Sequence, residues 1–226
     1  MSNPFYQDNL VTIYHKDFME QTEIEEGSVN AVITDPPYGS KMEWDNATWG
    51  FQEAWLSLCH SLLGDTGIIY FFFAPLKLRR ILGIAENLFK LQNVLVWHHA
   101  NLFGHGTSYG KARWKSTWEA IIYASKEYPP KLRAFERTGA GFDVFNAPYA
   151  SKRHRATKPE DVITRLILAS TEIDDLILEP FLGSGTVAWC CKKLGRKCVA
   201  YDREEEFCEM SADRCRQTVM SLGEVV

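Results

Sequence analysis

Leu176-Ile177-Leu178-Glu179-Pro180-Phe181-Leu182-Gly183-Ser184-Gly185-Thr186 is an apolar run, an acid, a turn with two glycines and the opening of a helix. Val187, Cys190, Cys191 and Leu194 continue at helical spacing, and Gly195 ends the pattern. The glycines allow close backbone approach. The helix start offers free N–H groups and a positive dipole end to a carboxylate or phosphate. Lys197-Cys198-Val199-Ala200-Tyr201 reads as the next strand and delivers Asp202 to its end, where a dinucleotide-type fold presents an acid to ribose hydroxyls. The competing reading makes Asp202 the N-cap of a helix starting at Arg203. A lone pair of glycines is a weak signal, so the rest of the chain decides its weight.

A second apolar run, Asn30-Ala31-Val32-Ile33-Thr34, closes on Asp35-Pro36-Pro37-Tyr38. Asp-Pro and Pro-Pro pairs are common loop punctuation, so a plain strand-to-loop turn would also produce them. The chemical reading is more specific. The lone pair of a nucleobase amine is delocalised into its ring, and acceptors on both amine hydrogens draw it out. The Asp35 carboxylate and the Pro36 carbonyl suit that task, the prolines hold them still, and Tyr38 offers a ring to stack on the base.

Together these two stretches resemble the amino-methylating DNA methyltransferases, specifically the circularly permuted group in which the catalytic motif precedes the cofactor motif. Gly27 to Thr34 before the tetrapeptide and Lys158-Pro159 before Glu179 extend the resemblance over most of the chain. It implies a Rossmann-like α/β fold that binds S-adenosylmethionine. The implied catalytic residues are Asp35, Pro36, Pro37 and Tyr38. The implied cofactor residues are Asp17, Lys158, Pro159, Glu179, Phe181, Gly183, Ser184, Gly185 and Asp202. Glu179 stands where aspartate is usual. DNA is the implied partner, and a second subunit and a cognate restriction enzyme are left open.

The 226 residues, 46% hydrophobic and 24% charged, suit one domain over 1–226. The longest apolar run, Ile68 to Leu76, is too short to cross a membrane, and Met1-Ser2-Asn3-Pro4 begins no signal peptide. A cytoplasmic protein of a bacterium, archaeon or phage is expected. Six cysteines lack metal or disulfide spacing and suggest a reducing compartment, and the adjoining Cys190 and Cys191 read as small apolar fillers within a helix. The histidines are equally poor ligands, since His98 and His99 diverge on a strand.

The net charge of −4 conceals a strong asymmetry: residues 101–158 carry 11 Lys and Arg against 4 Asp and Glu. Aromatics are interleaved there, among them Tyr109, Trp114, Trp118, Tyr128, Phe135, Phe142, Phe145 and Tyr149. Such a mixture suits phosphate contacts and base stacking, although a solvated face would share the composition. The segments 99–116 and 127–155 are read as DNA-contacting or target-recognition insertions, with Lys111, Arg113, Lys115, Lys152, Arg153 and Arg155 as DNA-binding residues. A P-loop at Gly104–Ala112 is rejected because its glycines are too close and Ala112 replaces the needed hydroxyl.

The pattern predicts seven strands, near 10–14, 30–34, 67–73, 92–98, 117–124, 175–179 and 197–201, in a mostly parallel sheet. Helices are predicted near 51–63, 75–87, 158–170, 185–194 and 203–217, on both faces. The strands near 92–98 and 117–124 lack a helix between them and are expected to form an edge hairpin. Thr157-Lys158-Pro159-Glu160 fits a capping box, which alone would explain Lys158. Phe51, Trp55, Leu58 and Leu62 share a helical face and are expected in the core. Trp44 and Trp49 fall outside that period and are left between packing over the target base or cofactor and packing on the sheet rim.

The expected activity is adenine N6-methylation of DNA on a flipped base, without a covalent enzyme intermediate. The first alternative is cytosine N4-methylation, which uses the same chemistry but more often with serine in place of Asp35. RNA or protein-amide substrates resemble the motif less well. A cytosine C5 enzyme would need a cysteine nucleophile after a proline, and none fits. A catalytically silent DNA-binding module is the alternative from another class.

Overall fold

The computed structural model describes residues 3–39, 47–100, 116–129, 131–133, 136–137, 141–148 and 157–217. Among these residues, nine strands form one sheet. They are β1 (Tyr6–Gln7), β2 (Val11–His15), β3 (Val29–Thr34), β4 (Leu63–Phe73), β5 (Lys90–His99), β6 (Trp118–Ser125), β7 (Val144–Ala147), β8 (Leu176–Glu179) and β9 (Lys197–Asp202), in the spatial order β1-β2-β9-β8-β3-β4-β6-β5-β7. The five central strands, β2 to β4 in that order, are parallel, and β6 runs antiparallel between β4 and β5. Among the described residues are five α-helices, α1 (Trp49–Leu62), α2 (Leu78–Glu86), α3 (Glu160–Ser170), α4 (Thr186–Lys193) and α5 (Glu205–Arg216), with short 3-10 turns at Phe18–Glu20 and Pro75–Lys77.

The predicted α/β class holds, with two strands more than the seven expected. β1 has only two residues, too few for a period-2 signal to register. β7 lies within the segment read as an insertion and pairs parallel to β5, from Val96↔Val144 to His99↔Ala147. The predicted hairpin, β5 with β6, therefore sits one strand in from the edge. The central strands are covered on both sides, which is why they read as unbroken apolar runs. Ile68, Tyr70 and Phe72 of β4 face α3, α4 and α5, while Ile69, Phe71 and Phe73 face α1 and α2.

Within α1, Trp55 and Leu62 are buried as predicted, and Phe51 and Leu58 are partly buried against the same core. Burying such a side chain contributes roughly 1.5–3 kcal/mol. All six cysteines are buried free thiols and fill the two cores. No helix among the described residues is long and apolar enough to cross a membrane.

The capping box at α3 does not form. The N-cap is Pro159, with no side-chain cap bond, and Glu160 turns instead to Arg214 and Lys193 at 2.6 and 3.2 Å. Two cations on neighbouring helices outcompete a single backbone N–H for its carboxylate.

Candidate active site

From β3 the chain moves outward through β4, and from β8 outward the other way through β9, so the switch point of the sheet lies between β3 and β8. Open α/β sheets bind ligands outside the carboxyl ends of their strands at that point. Three acids meet there: Asp35 follows β3, Glu179 ends β8 and Asp202 ends β9.

The glycine turn follows Glu179. Gly183 and Gly185 have φ of +48° and +67°, in the left-handed region. A Cβ on Gly185 would lie 2.4 Å from Ser211 Oγ of α5, so the turn can pack there only without a side chain. Asp202 fastens the turn: its Oδ2 accepts from the Gly183 N–H at 2.8 Å and its Oδ1 from the Glu204 N–H at 3.0 Å. Glu204, not Asp202, is the N-cap of α5, so the capping alternative for Asp202 is replaced by this bridging role. Burial raises the Asp202 carboxyl above its ordinary range, against these N–H donors.

Glu179 is 4% exposed, and its Oε2 has no hydrogen-bond partner among the described residues. Burial holds its carboxyl well above the usual range, opposed by the Ala188 N–H in the first turn of α4. A cationic donor entering the crevice would satisfy that oxygen. Phe181 packs between Phe18, Phe51 and Trp55, at ring separations of 6.3, 5.9 and 5.6 Å, and walls this end of the crevice. Ser184 Oγ stands 3.2 Å from Thr186 Oγ1. Asp17 reaches the same edge of the sheet, where its Oδ1 accepts from the Met19 N–H at 2.9 Å.

The Asp35 end is built from side chains. Asp35 Oδ2 lies 2.7 Å from Lys158 Nζ, and the Tyr38 hydroxyl donates to Oδ1. Lys158 also donates to Glu119 Oε2 at 2.9 Å, and its ammonium sits over Phe72 and Trp97, 5.0 and 5.6 Å from their ring centres. The sequence reading placed Lys158 on the cofactor; in the structure it lies against Asp35. Burial pushes the Asp35 carboxyl up, Lys158 opposes this, and Glu119 adds to it. Burial alone would lower the Lys158 ammonium, but Asp35 and Glu119 raise it above its ordinary value. His99 lies 3.8 Å from Glu119 Oε1 and is lowered to about 4 by burial, by Lys158 and by His98.

The loop carrying Pro36 and Pro37 is braced from below. Gln52 Nε2 donates to the Pro37 carbonyl at 2.6 Å, and Gln52 Oε1 accepts from Trp55 Nε1 at 2.8 Å. Lys77 Nζ donates to the carbonyls of Tyr38 and Gly39, each at 2.5 Å. The Tyr38 ring rests on Phe73, 4.9 Å between centres. Trp49 packs on the rim beside Phe73 with Arg80 over its ring, the second of the two places considered for it. Trp44 lies outside the described residues. The sequence reading missed Gln52, Lys77 and Glu119: each acts on a partner remote in sequence, and no local pattern marks that.

Lys111, Arg113, Lys115, Lys152, Arg153 and Arg155 lie outside the described residues. The other cations of 101–158 have partners within the chain. Lys126 donates to the Leu63 carbonyl, Lys131 pairs with Glu136, Arg133 and Arg137 pair with Glu172, and Lys158 is in the site. No group of three His, Cys, Asp or Glu among the described residues could hold a metal ion.

An acid at the end of each of three adjacent strands, beside a glycine turn at a topological switch point, defines a nucleotide-type cofactor enzyme of the doubly wound class. Comparison with known proteins makes this specific: the DNA methylase model for N6- and N4-methylating enzymes matches residues 29–213, and the chain belongs to that family of S-adenosylmethionine-dependent DNA methyltransferases. It is 25% identical to the type II methyltransferase M2.LlaDCHI of Lactococcus lactis subsp. cremoris, over 95% of this chain and 92% of that one. It is 28% identical to M.HpaI of Haemophilus parainfluenzae, over 84% and 69%. The fold matches the cytosine-N4-specific PvuII DNA methyltransferase with a TM-score of 0.79 at 19% identity, covering 96% of this chain and 90% of that one. It matches the M1.HpyAVI–SAM complex with a TM-score of 0.69 at 20% identity, covering 92% and 100%.

Proposed function

We propose that this chain methylates the N6 amine of adenine in DNA. The observation that carries the proposal is Asp35, a carboxylate held at the switch point with Lys158 on one oxygen and the Tyr38 hydroxyl on the other. An incoming amine N–H takes the place of that hydroxyl on Oδ1, and the Pro36 carbonyl accepts the second hydrogen. The nitrogen lone pair is thereby drawn out of the ring, and Tyr38 turns its ring to the base.

S-adenosylmethionine, when bound, supplies an electrophilic methyl group on sulfur. Glu179 Oε2 suits its ammonium, Asp202 its ribose hydroxyls, and Gly183 and Gly185 let the backbone approach, with Asp17, Phe181, Ser184 and Pro159 around them. Methylation makes the amine nitrogen acidic, and Asp35 stands ready to take the released proton. Asp35 need not be a strong base beforehand, so positioning and electrostatics carry the rate.

To reach Asp35 the adenine must leave the duplex stack, which costs a few kcal/mol, and aromatic stacking returns about 1–3 kcal/mol. Lys111, Arg113, Lys115, Lys152, Arg153 and Arg155 carry the DNA contacts in this reading, because the remaining cations of their segment are engaged within the fold. The relatives' type II names support a role in a restriction-modification system. Cytosine N4-methylation is the second reading, favoured by the fit to the PvuII enzyme.

Nucleoside mass spectrometry of DNA from cells expressing the protein tests both readings. N6-methyladenine is expected, N4-methylcytosine would replace the adenine reading with the second, and absence of either product would overturn both. A duplex with 2-aminopurine at the target position should brighten on binding if the base is extruded.

A further inference from the structure

Asp35 can do its work only if one oxygen is yielded to the target amine while the carboxylate keeps a fixed orientation in a crevice of other acids. The groups that meet there come from six parts of the fold. Tyr38 lies on its own loop, Lys158 precedes α3, Glu119 is on β6 with His99 of β5 behind it, and Glu179 of β8 stands on the other side with Asp202 of β9 beyond. Among the described residues, Lys158 is the cation that pairs with Asp35. Its ammonium is positioned by Glu119 at 2.9 Å and by the faces of Phe72 and Trp97. A lysine on a flexible stem is a mobile point charge, and a second carboxylate on its far side limits where it can sit.

We propose that Glu119 is a positioning residue of the methyl transfer, acting through the Lys158 ammonium to commit one oxygen of Asp35 and leave the other presented to the target amine. The proposal rests on the reading of Asp35 as the amine's acceptor. Among the described residues, the side-chain partners of Glu119 are Lys158 and His99, not the glycine turn.

The arrangement has an electrostatic consequence that bracing alone would lack. Lys158 favours the ionised form of Asp35 and Glu119 disfavours it. Removing one or the other must therefore move the acidic limb of the rate profile in opposite directions.

The test is the pH dependence of single-turnover methyl transfer to a DNA duplex by the full chain, wild type against Glu119→Gln and Lys158→Met, with S-adenosylhomocysteine affinity measured on each. Glu119→Gln should lower the plateau rate about tenfold, since an amide holds an ammonium less firmly than a carboxylate, and should shift the acidic limb to lower pH. Lys158→Met should shift the limb to higher pH. Affinity for S-adenosylhomocysteine should stay within about threefold of wild type in Glu119→Gln, because the glycine turn is untouched.

Limbs that stay in place, or that move the same way in both variants, would overturn the proposal. So would loss of S-adenosylhomocysteine binding in Glu119→Gln, which would make Glu119 part of the general scaffold. A wild-type chain that methylates no DNA in this assay would instead remove the functional reading on which the proposal stands.

Discussion

The two halves of the crevice are built on different plans. Around Glu179, Gly183 and Asp202 the work is done by one short stretch of main chain: turn amides, a helix start, and an acid whose two oxygens hold the turn in place. Around Asp35 it is done by side chains that satisfy one another, from Tyr38, Glu119 and Lys158 to the brace of Gln52 and Trp55 beneath. The first half holds a buried carboxyl oxygen with no hydrogen-bond partner among the described residues. The second arrives with its groups already paired, so its substrate must displace a contact to enter. On the proposed reading, a binding site and a reacting site on one sheet edge differ in where their polar groups are satisfied.

The sharpest way to break this comparison is Asp35→Ala. Transfer should fall by more than tenfold, a barrier increase above ~1.4 kcal/mol, while S-adenosylhomocysteine titration shows affinity largely retained. Parallel loss of both would mean that the halves are one unit. Asp202→Ala attacks the other plan: losing charge-assisted bonds worth about 1.5–3 kcal/mol should weaken S-adenosylhomocysteine roughly ten- to hundredfold. Unchanged affinity would confine Asp202 to fastening the turn.

Gln52→Leu should cost about 1–3 kcal/mol of stability by leaving the Trp55 N–H and the Pro37 carbonyl without their buried partner. It should also lower kcat severalfold with little change in cofactor affinity, because the prolines lose their support. A purely structural role would lower stability alone.

The smallest effect is expected from Glu179→Gln in the absence of cofactor. The folded Glu179 carboxyl titrates above its unfolded value, so the proton favours the wild-type fold at low pH. That contribution is lost as pH climbs from about 4.3 through the raised folded value. Glutamine removes the slope, so the variant's melting temperature should gain on wild type as pH rises across that window. Parallel curves would show that the buried oxygen has found another partner.

The same contrast explains what could be read from the chain. The cofactor half is contiguous: eight residues from Glu179 to Thr186 carry the turn and the helix start, and Asp202 follows one strand later, so local pattern was enough. The strands and helices near them were predicted to within a few residues because unbroken apolar runs and helical spacing are bounded there by the glycine turn and Gly195. Asp35 and Tyr38 were legible for the same reason. Lys158 was singled out, but its partners were not: Glu119 is 39 residues away and meets it only because β6 inserts antiparallel beside β4. The capping box was a local pattern that lost to the ion pairs of Glu160 with α4 and α5. Strand β7 escaped notice because four residues, half of them exposed, carry no clear alternation signal against their glycine- and proline-rich surroundings.

One contact at the far edge of the sheet bears on how such a chain could be redrawn. The Arg216 guanidinium lies 5.4 Å from the centre of the Tyr6 ring, and Lys192 ties Asp8 to the Cys215 carbonyl at 2.5 Å on each side. The first strand and the last helix therefore meet, and the path of the backbone is nearly a closed ring. Where that ring is opened is arbitrary for the crevice, since the three acids stand side by side whichever motif is made first. A version joined between residues 216 and 6 and opened ahead of Thr157 would be synthesised cofactor half first, with little loop-closure entropy added, and should assemble the same edge.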